Sequence, residues 1–129
     1  MVWCKRGVLA SVSHIYNPHD FTFVKGIDKN AAILDVGCGD GHFLNILHKL
    51  GYTNLTGCDP YGVADGILKG IKFYKDDLFA IPSNLYDIVT MIHTLEHLEN
   101  PKEVIRRINT LLSKNGKLII EIPVINSWL

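Results

Sequence analysis

The sequence lacks most of what marks a secreted or membrane protein. It holds only three cysteines in 129 residues, Cys4, Cys38 and Cys58. An odd count without a close pair is no disulfide framework, and no C-x-x-C offers a structural zinc cluster. The expected setting is a reducing cytoplasm. No apolar run approaches the ~18 residues of a membrane span. The run from Gly7 to Val12, behind Lys5 and Arg6, is too short for a signal-peptide core, and His14 ends it. Net charge is missing too, because 13 Lys plus Arg balance 13 Asp plus Glu. That balance removes the electrostatic case for a dedicated nucleic-acid or membrane-surface binder. Repeats, low-complexity tracts and internal linkers are also absent, so one small domain is expected.

What remains is an ordinary globular composition, 47% hydrophobic and 20% charged. Asn17-Pro18 reads as a helix cap followed by proline at the first helical position. A short helix through Phe21, Val24 and Lys25, ending at Gly26, makes residues 1–28 a helical extension. Five strands are then expected, over Ala31 to Val36, Leu55 to Cys58, Ile71 to Tyr74, Tyr86 to Ile92 and Lys117 to Ile122. Phe43, Leu44, Leu47 and Leu50 recur at helical spacing and Gly51 stops that helix. A second helix starts at Asn100-Pro101, carries Val104, Ile105, Ile108, Leu111 and Leu112, and ends at Asn115-Gly116. Apolar strands alternating with helices imply an α/β, Rossmann-like doubly wound parallel sheet. Two connections, Pro60 to Gly70 and Lys75 to Leu85, have room for at most a short helix each. One face of the sheet is therefore expected to be thinly covered.

The sharpest local signal is Leu34-Asp35-Val36-Gly37-Cys38-Gly39-Asp40-Gly41, between a strand and a helix. Glycines there permit positive φ and close backbone approach to a ligand, and the helix offers free N–H groups. A dinucleotide fingerprint would be G-x-G-x-x-G. Here the third glycine falls one residue early, at Gly41, with His42 in its place. A nicotinamide-dependent oxidoreductase is thus the weaker reading. Asp35, before the first glycine, can order the loop or meet a cationic ligand. Asp59 ends the second strand at the carboxyl edge of the sheet, where a carboxylate can accept both hydroxyls of a ribose. Asp76 and Asp77 end the third strand on the same edge, where an acid can accept from an adenine amino group. Cys38 and Cys58 flank this edge without a base partner in sequence.

These segments come in an order that resembles the class I S-adenosylmethionine-dependent methyltransferases. Ile33 to Gly41 is similar to the family's first motif, and Leu55-Thr56-Gly57-Cys58-Asp59-Pro60 to its ribose-binding motif. Asp77-Leu78, with Pro82 following, resembles the adenine-side motif. Tyr86-Asp87-Ile88-Val89 resembles the fourth-strand motif, and Leu112 to Leu118 the turn into strand five. The resemblance covers about residues 30 to 125 and implies strand order 3-2-1-4-5. It implies S-adenosyl-L-methionine as cofactor, with Asp35 and Gly37 near its methionine part, Asp59 on the ribose and Asp77 near adenine. Cys38, Gly39, Asp40, Gly41, Pro60, Asp76, Leu78 and Ile92 complete the expected cofactor set.

His93-Thr94-Leu95-Glu96-His97 follows the fourth strand on the same edge. On a helix, His93 and His97 would share one face. H-x-x-E-H is also a zinc-protease signature, but that needs a different fold. Leu95-Glu96-His97-Leu98 resembles the quinone-biosynthesis O-methyltransferase branch, whose Glu-x-x-Glu-His can hold a divalent metal. His93 stands where that branch has its first Glu, so the expectation is no metal, with Glu96 and His97 fixing the loop. His93 is the candidate base, since an imidazole exchanges protons near neutral pH. A packing role for it stays open.

The resemblance divides the chain into the extension, a core over 29–123 and a tail over 124–129 that lacks the family's last two strands. The expected acceptor is a small molecule, not nucleic acid. An uncovered edge at strand five favours a homodimer, unless a further C-terminal region covers it. A cofactor-binding module without turnover is the alternative function.

Overall fold

The computed structural model describes residues 2–4, 7–8 and 24–122, the first two segments by their backbone alone. Seven strands and two helices follow one another as β1 (Val2–Cys4), β2 (Gly7–Val8), β3 (Ile33–Val36), α1 (His42–Lys49), β4 (Leu55–Cys58), β5 (Lys72–Tyr74), β6 (Tyr86–Ile92), α2 (Pro101–Leu111) and β7 (Leu112–Glu121). They form one sheet in the order β2-β1-β7-β6-β3-β4-β5. The five strands from β3 onward are all parallel, in the 3-2-1-4-5 order that the resemblance implied.

Period-two alternation explains the layering. Leu34 and Val36 of β3 join Val89, Met91 and Leu118 against Val104, Ile108 and Leu111 of α2. Ile33 joins Leu55, Ile88 and Ile119 against Phe43, Leu44 and Leu47 of α1 on the other face. Burial of each such side chain contributes about 1.5–3 kcal/mol. Leu50, expected on the apolar side of α1, is instead 52% exposed, because the helix ends one residue before it and Gly51 turns away at φ 91°. The two thin connections are as short of helix as expected. One holds a single 3-10 turn, Ala64–Gly66. The other, with no helix, sends Leu78 and Ile81 into the α2-side core. Arg107 of α2 holds it down by donating from Nη2 to the Ile81 carbonyl (3.0 Å) and from Nε to that of Leu78 (3.4 Å).

Three expectations are corrected. The edge of β7 is not bare, since β1 pairs with it antiparallel, Val2 opposite Ile119 and Cys4 opposite Lys117. The sheet thus gains two strands from the N-terminal segment that was expected to be helical. Most of the helix expected from Asn17 to Gly26 lies outside the described residues. The second helix ends at Leu111, and β7 starts at Leu112 instead of Lys117. The expected turn at Asn115-Gly116 is a wide bulge, in which Asp87 of β6 faces Ser113 to Gly116 of β7. Asp87 secures it by accepting from the Ser113 hydroxyl (3.1 Å) and from the Ala32 amide (2.9 Å). A Cβ on Gly116 would lie 2.9 Å from the Tyr86 carbonyl oxygen, so glycine is required there.

Candidate functional site

The carboxyl ends of the parallel strands form the site. Strand order reverses between β3 and β6, the place where open α/β sheets leave a ligand crevice. The loop from β3 to α1 lines it. Gly37, Gly39 and Gly41 have φ of 75°, 57° and 78°, a left-handed conformation that side chains rarely adopt. A Cβ on Gly37 would overlap the Thr94 side chain, and one on Gly41 would lie 2.7 Å from Ile67. A Cβ on Gly39 would meet nothing within 4 Å. The first and third glycines are therefore needed for packing, and the middle one faces open space.

Hydrogen bonds tie this loop to its acidic neighbours. Asp59, at the end of β4, accepts from the Gly39 amide at Oδ2 (2.9 Å) and from the Tyr61 amide at Oδ1 (2.7 Å). Each oxygen keeps a second lone pair for a ligand hydroxyl. Pro60 turns the chain outward, and Gly62 brings it back over the loop. A Cβ on Gly62 would lie 2.6 Å from the Gly39 carbonyl oxygen, which also accepts from Val63. Asp40 is exposed and accepts from the His42 amide at the start of α1 (3.1 Å). Asp76 accepts from the Asp77 amide, and Asp77 Oδ1 from the amides of Phe79 and Ala80. These bonds hold both acids at the edge. Leu78, named with them, buries its side chain in the core.

Asp35 is the most perturbed carboxyl. It is buried at the end of β3 and accepts from the Thr90 hydroxyl at 2.6 Å. Burial pushes it up to about 7, with a smaller upward push from Asp59 and a downward one from the Thr90 bond. A carboxyl in this state can balance an incoming cation. Burial also raises both thiols, Cys58 to about 12. Cys38 packs against Gly57, so both are inert core thiols, free of any disulfide.

Beyond β6 the chain does not take the helical form that would put His93 and His97 on one face. His93 has φ 52° and is on no helix; only Leu95–His97 forms a 3-10 turn. His93 Nε2 lies 3.5 Å from Glu121 Oε1, whereas His97 lies 4.0 Å from Glu96. The two imidazoles thus serve different carboxylates and share no face. Among the described residues, no three His, Cys, Asp or Glu side chains come together as a metal site. Ile92 ends β6 and offers its carbonyl oxygen to Thr94. Four residues went unrecognised in the sequence: Thr90, Thr94, Gly62 and Glu121. The glycine richness of the Pro60 to Gly70 segment was the one available signal, and it did not single out Gly62.

Such a crevice, with glycine loop and strand-end acids, defines an α/β fold that binds a nucleoside-bearing ligand. A profile of the methyltransferase-domain family matches residues 17–128. The ubiquinone biosynthesis O-methyltransferase of Colwellia psychrerythraea is 36% identical over 109 residues, covering 72% of this chain and 44% of the relative. The plantazolicin methyltransferase BpumL, solved with a desmethylPZN analogue and SAH, matches with TM-score 0.59 and 28% identity, over 69% of this chain and 38% of that one. A methyltransferase structure from Methanococcus maripaludis shares the fold at TM-score 0.66 and 20% identity, over 77% and 51%. The chain belongs to the class I S-adenosylmethionine-dependent methyltransferase family. It spans about half the length of the curated relatives it matches. Among the described residues, no helix is long and apolar enough to cross a membrane.

Proposed function

We propose that this chain is an S-adenosyl-L-methionine-dependent methyltransferase domain acting on a small-molecule oxygen acceptor in the cytoplasm. One observation carries the reading: a glycine loop with three left-handed residues is hydrogen-bonded through Gly39 to Asp59 at the strand-order switch. The residues fit the cofactor chemically. Asp59 can accept the ribose hydroxyls, with Pro60 shaping that turn. Gly37, Cys38, Gly39, Asp40 and Gly41 give the backbone wall for the methionine part, and Asp35 the buried counter-charge. Asp76, Asp77 and Leu78 border the adenine side, and Ile92 the floor. The oxygen acceptor is supported by the O-methyltransferase relatives.

When bound, S-adenosylmethionine supplies a methyl group on a sulfonium already activated for in-line displacement. The protein's main contribution is positioning, worth about 7–11 kcal/mol in well-oriented systems. Asp35 and the glycine loop orient the donor side. His93, just past the end of β6, takes the acceptor's proton, and Glu121 stabilises the imidazolium that results.

The test is calorimetric titration with S-adenosylhomocysteine and, separately, NAD. Binding of the first and not the second supports the reading, and the reverse overturns it in favour of an oxidoreductase. Binding without methyl release from S-adenosylmethionine supports a donor-binding module that does not turn over alone.

A further inference from the structure

Two threonines of the β6 segment reach across to β3 where the ladder between these strands runs out. The pairing stops at Asp35 opposite Thr90. Thr90 donates to the Asp35 carboxylate at this last rung. Thr94 lies beyond the end of the ladder. Its hydroxyl sits 3.1 Å from both the Val36 carbonyl at the end of β3 and the Ile92 carbonyl at the end of β6. Its side chain also occupies the space a Cβ would take on Gly37. In the other direction, the Thr94 carbonyl accepts from the His97 amide (3.1 Å), and its neighbour is His93 with φ 52°. The His93 amide is held by the Glu121 carbonyl (2.9 Å). One half-buried residue therefore touches the donor loop on one side and the acceptor loop on the other.

We propose that Thr94 is a positioning residue that couples the glycine loop to the His93 loop, so that filling the donor site sets the imidazole for the acceptor. The inference rests on the donor-site reading above. A hydroxyl wedged between two strand ends has few alternative arrangements, and motion of Gly37 is transmitted through direct contact. The Thr94 side chain fills the space where a Cβ on Gly37 would lie, so the two residues are in direct contact.

The test follows the His93 imidazole signals by NMR during titration with S-adenosylhomocysteine, in the unaltered chain and in Thr94→Val and Thr94→Ser. Valine keeps the shape and removes the hydroxyl; serine keeps the hydroxyl. The ligand-induced shift of His93 is expected to fall about fivefold or more in Thr94→Val and to stay within about twofold in Thr94→Ser. Affinity is expected to change less than the shift does. Equal His93 shifts in all three proteins, with the ligand bound, overturn the coupling while leaving the donor site intact. Absence of binding to the unaltered chain overturns the donor-site reading itself. If Thr94→Val does not fold, amide exchange in the unaltered chain decides. Slowing of both the Gly37 and His97 amides on saturation supports the coupling, and slowing of Gly37 alone refutes it.

Discussion

The Gly39 amide donates to Asp59 Oδ2 across 2.9 Å, although the two residues are 20 positions apart. The loop that walls the crevice and the carboxylate proposed for the ribose are thus one hydrogen-bonded unit. Asp59→Ala removes the acceptor for Gly39 and Tyr61 as well as the proposed ligand contact. It is expected to weaken S-adenosylhomocysteine binding at least about tenfold, since bonds to charged groups contribute about 1.5–3 kcal/mol. Asp59→Asn, which keeps one acceptor oxygen, should fall between the two in the same calorimetric titration.

Asp35 predicts a pH dependence of stability. Its folded value is raised from 3.8 to about 7, chiefly by burial. Between those values the folded chain holds a proton that the unfolded chain has released. The contribution of Asp35 to the unfolding free energy should therefore be greatest below about pH 4, fall as pH rises to about 7, and stay flat above that. The contribution is bounded at about 4 kcal/mol. Asp35→Asn should remove most of this slope and raise the melting temperature more at pH 8 than at pH 5. Equal shifts at the two pH values, by differential scanning calorimetry, would contradict the assignment.

The three glycines should differ in what alanine does to them. Gly39→Ala meets only the left-handed backbone cost of about 1–2 kcal/mol, because space is open there. Gly37→Ala meets the same cost plus the overlap with Thr94, and should lose clearly more in urea denaturation. Thr94→Ala in the Gly37→Ala background should recover part of that loss, a non-additivity that a double-mutant cycle measures directly.

His93→Asn is the informative change at the acceptor side, since asparagine tolerates the left-handed backbone that His93 adopts. Turnover with small hydroxylated acceptors should fall about 10²-fold or more, with affinity for S-adenosylhomocysteine within about twofold. A parallel loss of affinity would place His93 in the donor site instead.

Much of this was readable in the sequence. Leu55–Cys58 and Tyr86–Ile92 form strands where expected. The strand expected from Ala31 starts at Ile33, because the Ala32 amide goes to the Asp87 carboxylate. Contacts between distant residues carried no local signal. Thr94 and Val36 are 58 positions apart, and nothing in the period of either segment announces their bond. The arrangement that a helix would give His93 and His97 is likewise set aside by a distant partner. The His93 amide and imidazole both engage Glu121, a residue of another strand. β1 was invisible because three residues are too few to show alternation.

That last strand has a consequence for the order of folding. Trp3 is opposite Leu118, so β1 is made well before β7 and must wait for it. Loop closure over such a separation is entropically slow. The parallel core from β3 to β6 can assemble first, and docking of β1 on the edge of β7 follows it.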